Sequence, residues 1–464
     1  MLLLAASGAF AAEAQASEAP VSEASAPRQA PIPEKPDGVV VYVPLLEVPD
    51  LLAAPTVGWP SMDDANDVVA AADRLLIFGV QRAAFAIFPK NVGLRTGLGM
   101  ATSGLAAVGT VFIGSWGHEE AHRAVLRNRG ITSRNGVYHP DAWSNGTISV
   151  DHVSDDALAT LKAEHPADTV RLMSAGIESQ ILVVRQIGDN TFWTDEQGRR
   201  LGPLYLGDTW MLAPLLAETA STVQYFGICM DQGSDTLTDE ENQLRLEEPA
   251  RDFTGLDCTA WVYDMRRPDE PYDARGAHPY GEGVDRYRSW EDLTGDEQEW
   301  LASQFWLNLI NLLNPHLYGI DGVALGEDGR WIAQAGYLPA PWGYRVDLRG
   351  AVRVPGLHLG VELQGGVAEN GLFPGLDVEI RDIAIGSRVH VDAGLGGWLQ
   401  PKDLRWDATT RSPGGRAWVT GRVAVVPALA VVVGVEGKTE GFVAGNVHLD
   451  PAVTANLGLR LAIP

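Results

Sequence analysis

The chain has 464 residues, 45% of them hydrophobic, which is apolar material for more than one core and excludes a single small domain. Its formal net charge is -25, with 60 acidic residues against 35 basic ones. No cluster of Lys or Arg interrupts that balance, so nucleic acid is excluded as a partner.

The first residues, MLLLAASGAFAAEAQ, have the apolar stretch and small-residue cleavage sites of a secretory leader, expected over 1–16, although the basic start is missing. An Ala-rich tail is the other reading. From 17 to 38 the chain is Ala, Pro, Ser and Glu, and "APRQAPIPEKP" removes backbone donors throughout, so a tether without helix or strand is expected.

Between 39 and 322 the apolar segments have helical spacing: "DANDVVAAADRLLIFGVQRAAFAIF", a charge-free run from Thr96 to Gly117 that ends in "HEEAH", "ADTVRLMSAGIESQILVVRQI", "GDTWMLAPLLAETASTVQYFGI" and "EQEWLASQFWLNLINLLNPHLYGI". The polar stretch 231–296 reads as a long irregular insertion. The only cysteines, Cys229 and Cys258, are close enough in sequence to staple it if the compartment oxidises; otherwise they are two free thiols.

After 322 the apolar period changes to two, which means strands. In "YRVDLRGAVRV" Tyr344, Val346, Leu348, Val352 and Val354 fall on one side and Arg345, Asp347, Arg349 and Arg353 on the other. Further copies follow to the end of the chain, giving about eight strands, with tight joins ("PG", "GS", "PA") expected to alternate with long ones ("ENGLFPG", "QPKDLRWDATTRSPGG", "KTEGFVAGNVHLD"). This pattern over 323–464 resembles bacterial outer-membrane β-barrels, apart from the ending "LRLAIP", which lacks a terminal aromatic. A soluble sandwich is the alternative. The expected fold class is α+β: a helical domain followed by an antiparallel β-barrel.

His118 and His122 are four residues apart, so on a helix their imidazoles share one face and can hold one divalent ion. Glu119 is rotated about 100° from His118, which suits it to take a proton from water beside the ion. This HExxH arrangement resembles the zincin metallopeptidases, which implies Zn²⁺ as cofactor, Glu119 as general base and a protein or peptide substrate.

A catalytic zinc needs a third protein ligand. The first candidate is Glu178 in "LMSAGIESQ", an acid within an apolar helix, beside Ala175 and Gly176, whose small size would let that helix approach HEEAH. A buried Glu178 requires a cation partner. A glutamate on a later helix is similar to the gluzincin arrangement. The second is Asp321: Asn311, Pro315, Ile320, Asp321 and Gly322 resemble the downstream motif of site-2 proteases, with altered spacing and Val323 in place of a second glycine. A helix-to-strand turn accounts for the same residues. Glu218 is a reserve ligand, and His278 and Tyr280 read as solvated loop residues.

The function expected is a zinc-dependent endopeptidase of the bacterial cell envelope, attached to the outer membrane, with the inner membrane or periplasm as the alternative site. Two other functions are open: a non-catalytic outer-membrane barrel acting as channel or anchor, and a site-2-like intramembrane protease. The sequence shows neither the substrate nor the oligomeric state.

Overall fold

The computed structural model describes residues 38–463, apart from 50, 52–59, 89, 139–147, 194–198, 207–208 and 231–232. These residues belong to one compact unit, Pro36–Pro464. The leader expected over 1–16 and, except for Gly38, the tether over 17–38 lie outside them.

Eight α-helices are described: α1 (Met62–Ile87), α2 (Val92–Asn128), α3 (Asp155–Glu164), α4 (Pro166–Trp193), α5 (Leu212–Cys229), α6 (Gly233–Leu244), α7 (Asp257–Arg266) and α8 (Gly295–Asn308). The five helical segments expected from periodicity are α1, α2, α4, α5 and α8. Polar caps set several starts: the Ser61 side chain accepts the Asp64 N–H, and Thr294 with Glu297 forms a capping box on α8. The stretch 231–296 is not an irregular insertion as expected, because it carries α6 and α7. α6 has only two large apolar residues, Leu237 and Leu244, and α7 is short and buried all round, so neither carries a long one-faced apolar stripe.

The strands are β1 (Val39–Val48), β2 (Arg134–Asn135), β3 (Val150–Asp151), β4 (Arg199–Leu201), β5 (Leu204–Leu206), β6 (Ile320–Leu325), β7 (Gly329–Ala340), β8 (Gly343–Val354), β9 (Leu357–Ala368), β10 (Gly371–Ile385), β11 (Val389–Pro401), β12 (Arg411–Val426), β13 (Leu429–Lys438) and β14 (Ala452–Ile463). All but β2 and β3 form one 12-stranded sheet in the order β1-β14-β13-β12-β11-β10-β9-β8-β7-β6-β5-β4. The protein is therefore α+β with a large antiparallel sheet, and the sheet is open, since β1 and β4 are its edges. Strand β1, from the part expected to be helical, pairs with β14 at the far end of the chain.

Joins differ in detail from the expected alternation. "ENGLFPG" is mostly strand, with β10 beginning at Gly371, so that join is tight. At the β8–β9 turn Gly356 has φ +79°, which a side chain would resist. Among the joins from β7 onward, only the β11–β12 and β13–β14 connections are long. Their Leu404, Trp406, Phe442, Val447 and Leu449 fold inward and share one core with Trp261 of α7, Leu172 of α4 and Val125 of α2. This places the helical cap at that end of the sheet.

The two faces of the sheet have opposite chemistry. On the inner face Asp347 is 2.8 Å from both Arg345 and Arg185, Arg349 is 3.0 Å from Glu362 and 2.8 Å from Asp189, and Arg416 is 3.0 Å from Asp377. All of these charges except Asp347, with residues of α1 and α4, line a polar cavity of about 450 Å³. On the outer face the register aligns aliphatic rows, such as Leu348–Leu363–Leu376 and Val352–Leu359–Ile380–Ala393–Val419–Val435. Leu363 is 57% exposed and Leu395 68%, so nothing among the described residues covers them.

Candidate metal centre

Helix α2 places His118 and His122 one turn apart, with ring centroids 4.9 Å apart. Their partners are set by α4. Gly176 of α4 faces His118 so closely that a β-carbon there would stand 2.2 Å from the imidazole Nε2. The small residue does what the sequence suggested, letting the two helices approach. One turn on, the Gln180 Oε1 lies 3.2 Å from His118 Nδ1, and the Gln180 amide donates to Ser221 Oγ at 3.0 Å. His122 Nδ1 lies 2.6 Å from the Leu172 carbonyl oxygen. Both Nδ1 atoms thus face acceptors, which places their protons there and leaves each Nε2 with a lone pair.

The third group is Asp257. Its Oδ2 is 2.9 Å from His118 Nε2 and 3.2 Å from His122 Nε2. Among the described residues, His118, His122 and Asp257 form the one group of His, Cys, Asp and Glu side chains that could share a metal ion. With both Nδ1 atoms protonated, two nitrogen lone pairs and a carboxylate oxygen point at one another. A cation between them satisfies all three. When no cation is bound, the two Nε2 atoms hold Asp257 by hydrogen bonds instead: burial pushes its carboxyl up, but the charge of His122 and the hydrogen bonds of both imidazoles outweigh it and hold it at about 2, so it stays an anion.

Asp257 is positioned by covalent and polar restraints. It opens α7, its backbone N–H donates to the Tyr225 hydroxyl at 3.0 Å, and the next residue is the disulfide-bonded Cys258. The Cys229–Cys258 bridge, present with Cα atoms 6.2 Å apart, ties α7 to the end of α5. The sequence did contain a signal for this ligand, an acid adjacent to one of only two cysteines, but it lay in the stretch taken as irregular.

Neither acid expected as third ligand reaches the imidazoles. Glu178 is two residues beyond Gly176, about 200° around the helix, so it points away from α2. It is fully buried and does have the required cation, but that cation is Arg171, at 2.8 Å. Glu178 also accepts the Gly445 N–H at 2.8 Å. Asp321 is paired with Arg330 at 3.0 Å, and Arg330 also donates to the Phe192 carbonyl at the end of α4. Phe192 is 16 residues from Gly176 on the same helix, about 24 Å in rise. Asp321 is therefore a fold-stabilising residue at the junction into β6.

Glu119 is 7% exposed, and burial, then the charges of Asp252, Asp257 and Glu120, push its carboxyl well above the ordinary range. Glu120, beside it, is engaged by Arg123 at 2.5 Å and by the Asn135 amide at 2.9 Å. Tyr225 was missed in the sequence. Its ring stands edge-on to His118, with centroids 5.9 Å apart, and burial first, then the charge of Asp257, raise its hydroxyl far enough to keep it neutral. His278 and Tyr280 share a loop, where His278 Nδ1 accepts the Tyr280 and Gly281 N–H groups. Glu218 lies beneath this cluster, filling the space left by Gly114 one turn before His118. It is not among the converging ligand atoms.

No protein-family profile, curated protein or solved structure matches this chain.

Proposed function

We propose that the chain is a zinc-dependent endopeptidase whose helical cap is held in a membrane by the curled, barrel-like sheet. The observation that carries the catalytic half is the meeting of His118 Nε2, His122 Nε2 and Asp257 Oδ2 on one point. Two imidazoles and a carboxylate are the donor set of a catalytic zinc, which keeps a further position for water or substrate.

A zinc ion held there would supply Lewis-acid polarisation of water and of a peptide carbonyl. Glu119, next to His118 on the same helix, would take the proton from the attacking water and pass it to the leaving amine. The neutral Tyr225 hydroxyl, which accepts the Asp257 N–H, would donate to the carbonyl oxygen as charge develops on it. Gln180 and the Leu172 carbonyl keep both imidazoles in the ligand tautomer.

The membrane half rests on the inverted sheet. Paired charges line its inside and uncovered aliphatic rows its outside, which is stable against hydrocarbon and costly against water. Twelve-residue strands such as β9 run about 40 Å, which at a tilt near 45° spans the apolar band of roughly 25 Å. No helix among the described residues is long and apolar enough to cross a membrane by itself. An oxidised cysteine pair fits the envelope of a bacterium, and the outer membrane is the compartment proposed.

The test is zinc titration of the purified full chain in detergent, followed by peptide hydrolysis with wild type and Glu119→Gln. One zinc per chain, and retained zinc with lost hydrolysis in the variant, support the reading. No zinc uptake by the wild type removes the enzyme and leaves a non-catalytic barrel-like anchor.

A further inference from the structure

Where the metal centre stands relative to the aliphatic rows can be measured along α4, because that helix touches both His118 and the inner face of β8, whose outer face carries one of the rows. Gly176 faces His118, and Arg185, nine residues on, pairs with Asp347 of β8 at 2.8 Å. Nine residues of helix rise about 13 Å. Asp347 adjoins Leu348, whose side chain points to the opposite face and is 52% exposed. Leu372, closer to the cap, is 58% exposed. Leu372 is four strand residues, about 13 Å, nearer the cap than Leu376, which shares the register level of Leu363 and Leu348, so the converging ligands stand near the level where the aliphatic rows end, at the border of hydrocarbon and headgroups.

Exposed side chains at the junction between cap and sheet agree with that level. Trp306 is 68% exposed, Tyr318 64% and Leu313 63%. All three lie on α8 and the short turns after it, which pack on β7, where the Tyr337 N–H donates to Asn311 Oδ1 at 2.8 Å. Large aromatics in water are costly, whereas Trp and Tyr are favoured where hydrocarbon meets headgroups. The charge-free part of α2 completes the picture. It runs back from His118 against α1, with Gly117 beside Val69 and Gly109 beside Leu76, and α1 packs on the edge strand β1, with Val41 and Ala71 in one cluster. Phe112 on that run is 44% exposed and Ile87, at the end of α1, 61%. The absence of charge from Thr96 to Gly117 is what a helix beside lipid needs, and polar residues return where the site leaves it.

We infer that the metal centre works in the interfacial layer of the membrane, and that its substrate is a polypeptide segment emerging from that membrane or lying on it. This deepens the peptidase reading and rests on it. A bond presented within a few residues of a membrane anchor is delivered to the site at high local concentration, while a freely diffusing peptide is not.

The experiment uses the full, zinc-loaded chain in phosphatidylcholine–phosphatidylglycerol vesicles. The probes are fluorogenic peptides with a degenerate target segment, either free or attached to a transmembrane 20-mer through polar spacers of about 3, 10 or 30 residues. The expected result is cleavage of the short-spacer probes about tenfold or more faster than the free one, declining at the longest spacer. Double replacement of Trp306 and Tyr318 by Ser should reduce that preference while leaving hydrolysis of the free peptide in detergent unchanged. Equal cleavage of free and anchored probes by the wild type overturns the interfacial inference and leaves the peptidase reading intact. Release of fatty acid from the vesicles with no peptide cut also overturns it, by making the interfacial substrate a lipid ester. Loss of all hydrolysis despite bound zinc overturns the peptidase reading itself.

Discussion

Gly176 and His118 are in contact across two helices, backbone against imidazole, at a separation that leaves no room for a β-carbon. Alanine ordinarily favours a helix over glycine by about 1 kcal/mol. Here Gly176→Ala must instead push His118 out of line with His122 and Asp257. The expected outcome is a folded protein whose zinc affinity falls by roughly 10- to 100-fold, read by competition with a chromogenic chelator.

The ligand set makes a sharper contrast. Asp257→Asn removes an anionic oxygen from the converging trio and should abolish tight zinc binding. Glu178→Gln should leave one zinc per chain, because Glu178 serves Arg171 and the Gly445 N–H. Its cost appears in stability, about 3–5 kcal/mol for a broken buried pair, visible as a lower denaturant midpoint. Zinc lost in Glu178→Gln and kept in Asp257→Asn would reverse the assignment.

The disulfide closes a loop across a sequence separation of 29 residues and starts α7 beside its metal-facing acid. Replacing both cysteines by Ser should cost about 3–4 kcal/mol in the chain-entropy view. It should also weaken zinc binding, since Asp257 then loses its tether. Reductant applied to the wild type should reproduce both effects in thermal melts with and without zinc.

Acid sensitivity has an identifiable source in Asp264, in the same helix. Burial pushes its carboxyl up, but Arg275 and Lys162, each 2.7 Å away, outweigh that and hold it at about 2. A depressed folded value means stability that is fully present above the unfolded value of about 3.9 and lost as pH falls through about 2. Asp264→Asn should therefore be less stable than wild type at pH 7, by about 3–5 kcal/mol, with the gap narrowing between pH 4 and pH 2 in urea titrations.

Much of this arrangement was legible in the residues. Period-two alternation located β8 to β14 and assigned each side chain to a face, because a strand face follows directly from parity. The five long helices followed from apolar spacing, and the pair His118 and His122 from its four-residue step. The third ligand could not be read in the same way. Asp257 is 135 positions from His122, and what unites them is the docking of α7 under α5, a tertiary event with only a cysteine to mark it. A buried Glu178 does need a cation, but the residues alone do not choose between an ion and Arg171, seven residues earlier on the same helical face. Strand β1 was missed for a similar reason, since its partner β14 is at the other end of the chain.

The inward fold of the β13–β14 connection has a consequence for how the protein is made. Gly445 and the carbonyls of Val443 and Asn446 complete the surroundings of Arg171 and Glu178, on the helix that also seats His118. Those groups are synthesised more than 260 residues after Arg171 and Glu178, so the seat is finished only when the last hairpin arrives. A nascent or truncated chain carries both histidines yet lacks the brace on the helix that seats His118, so the meeting of His118, His122 and Asp257 is set only after the β13–β14 connection has folded inward.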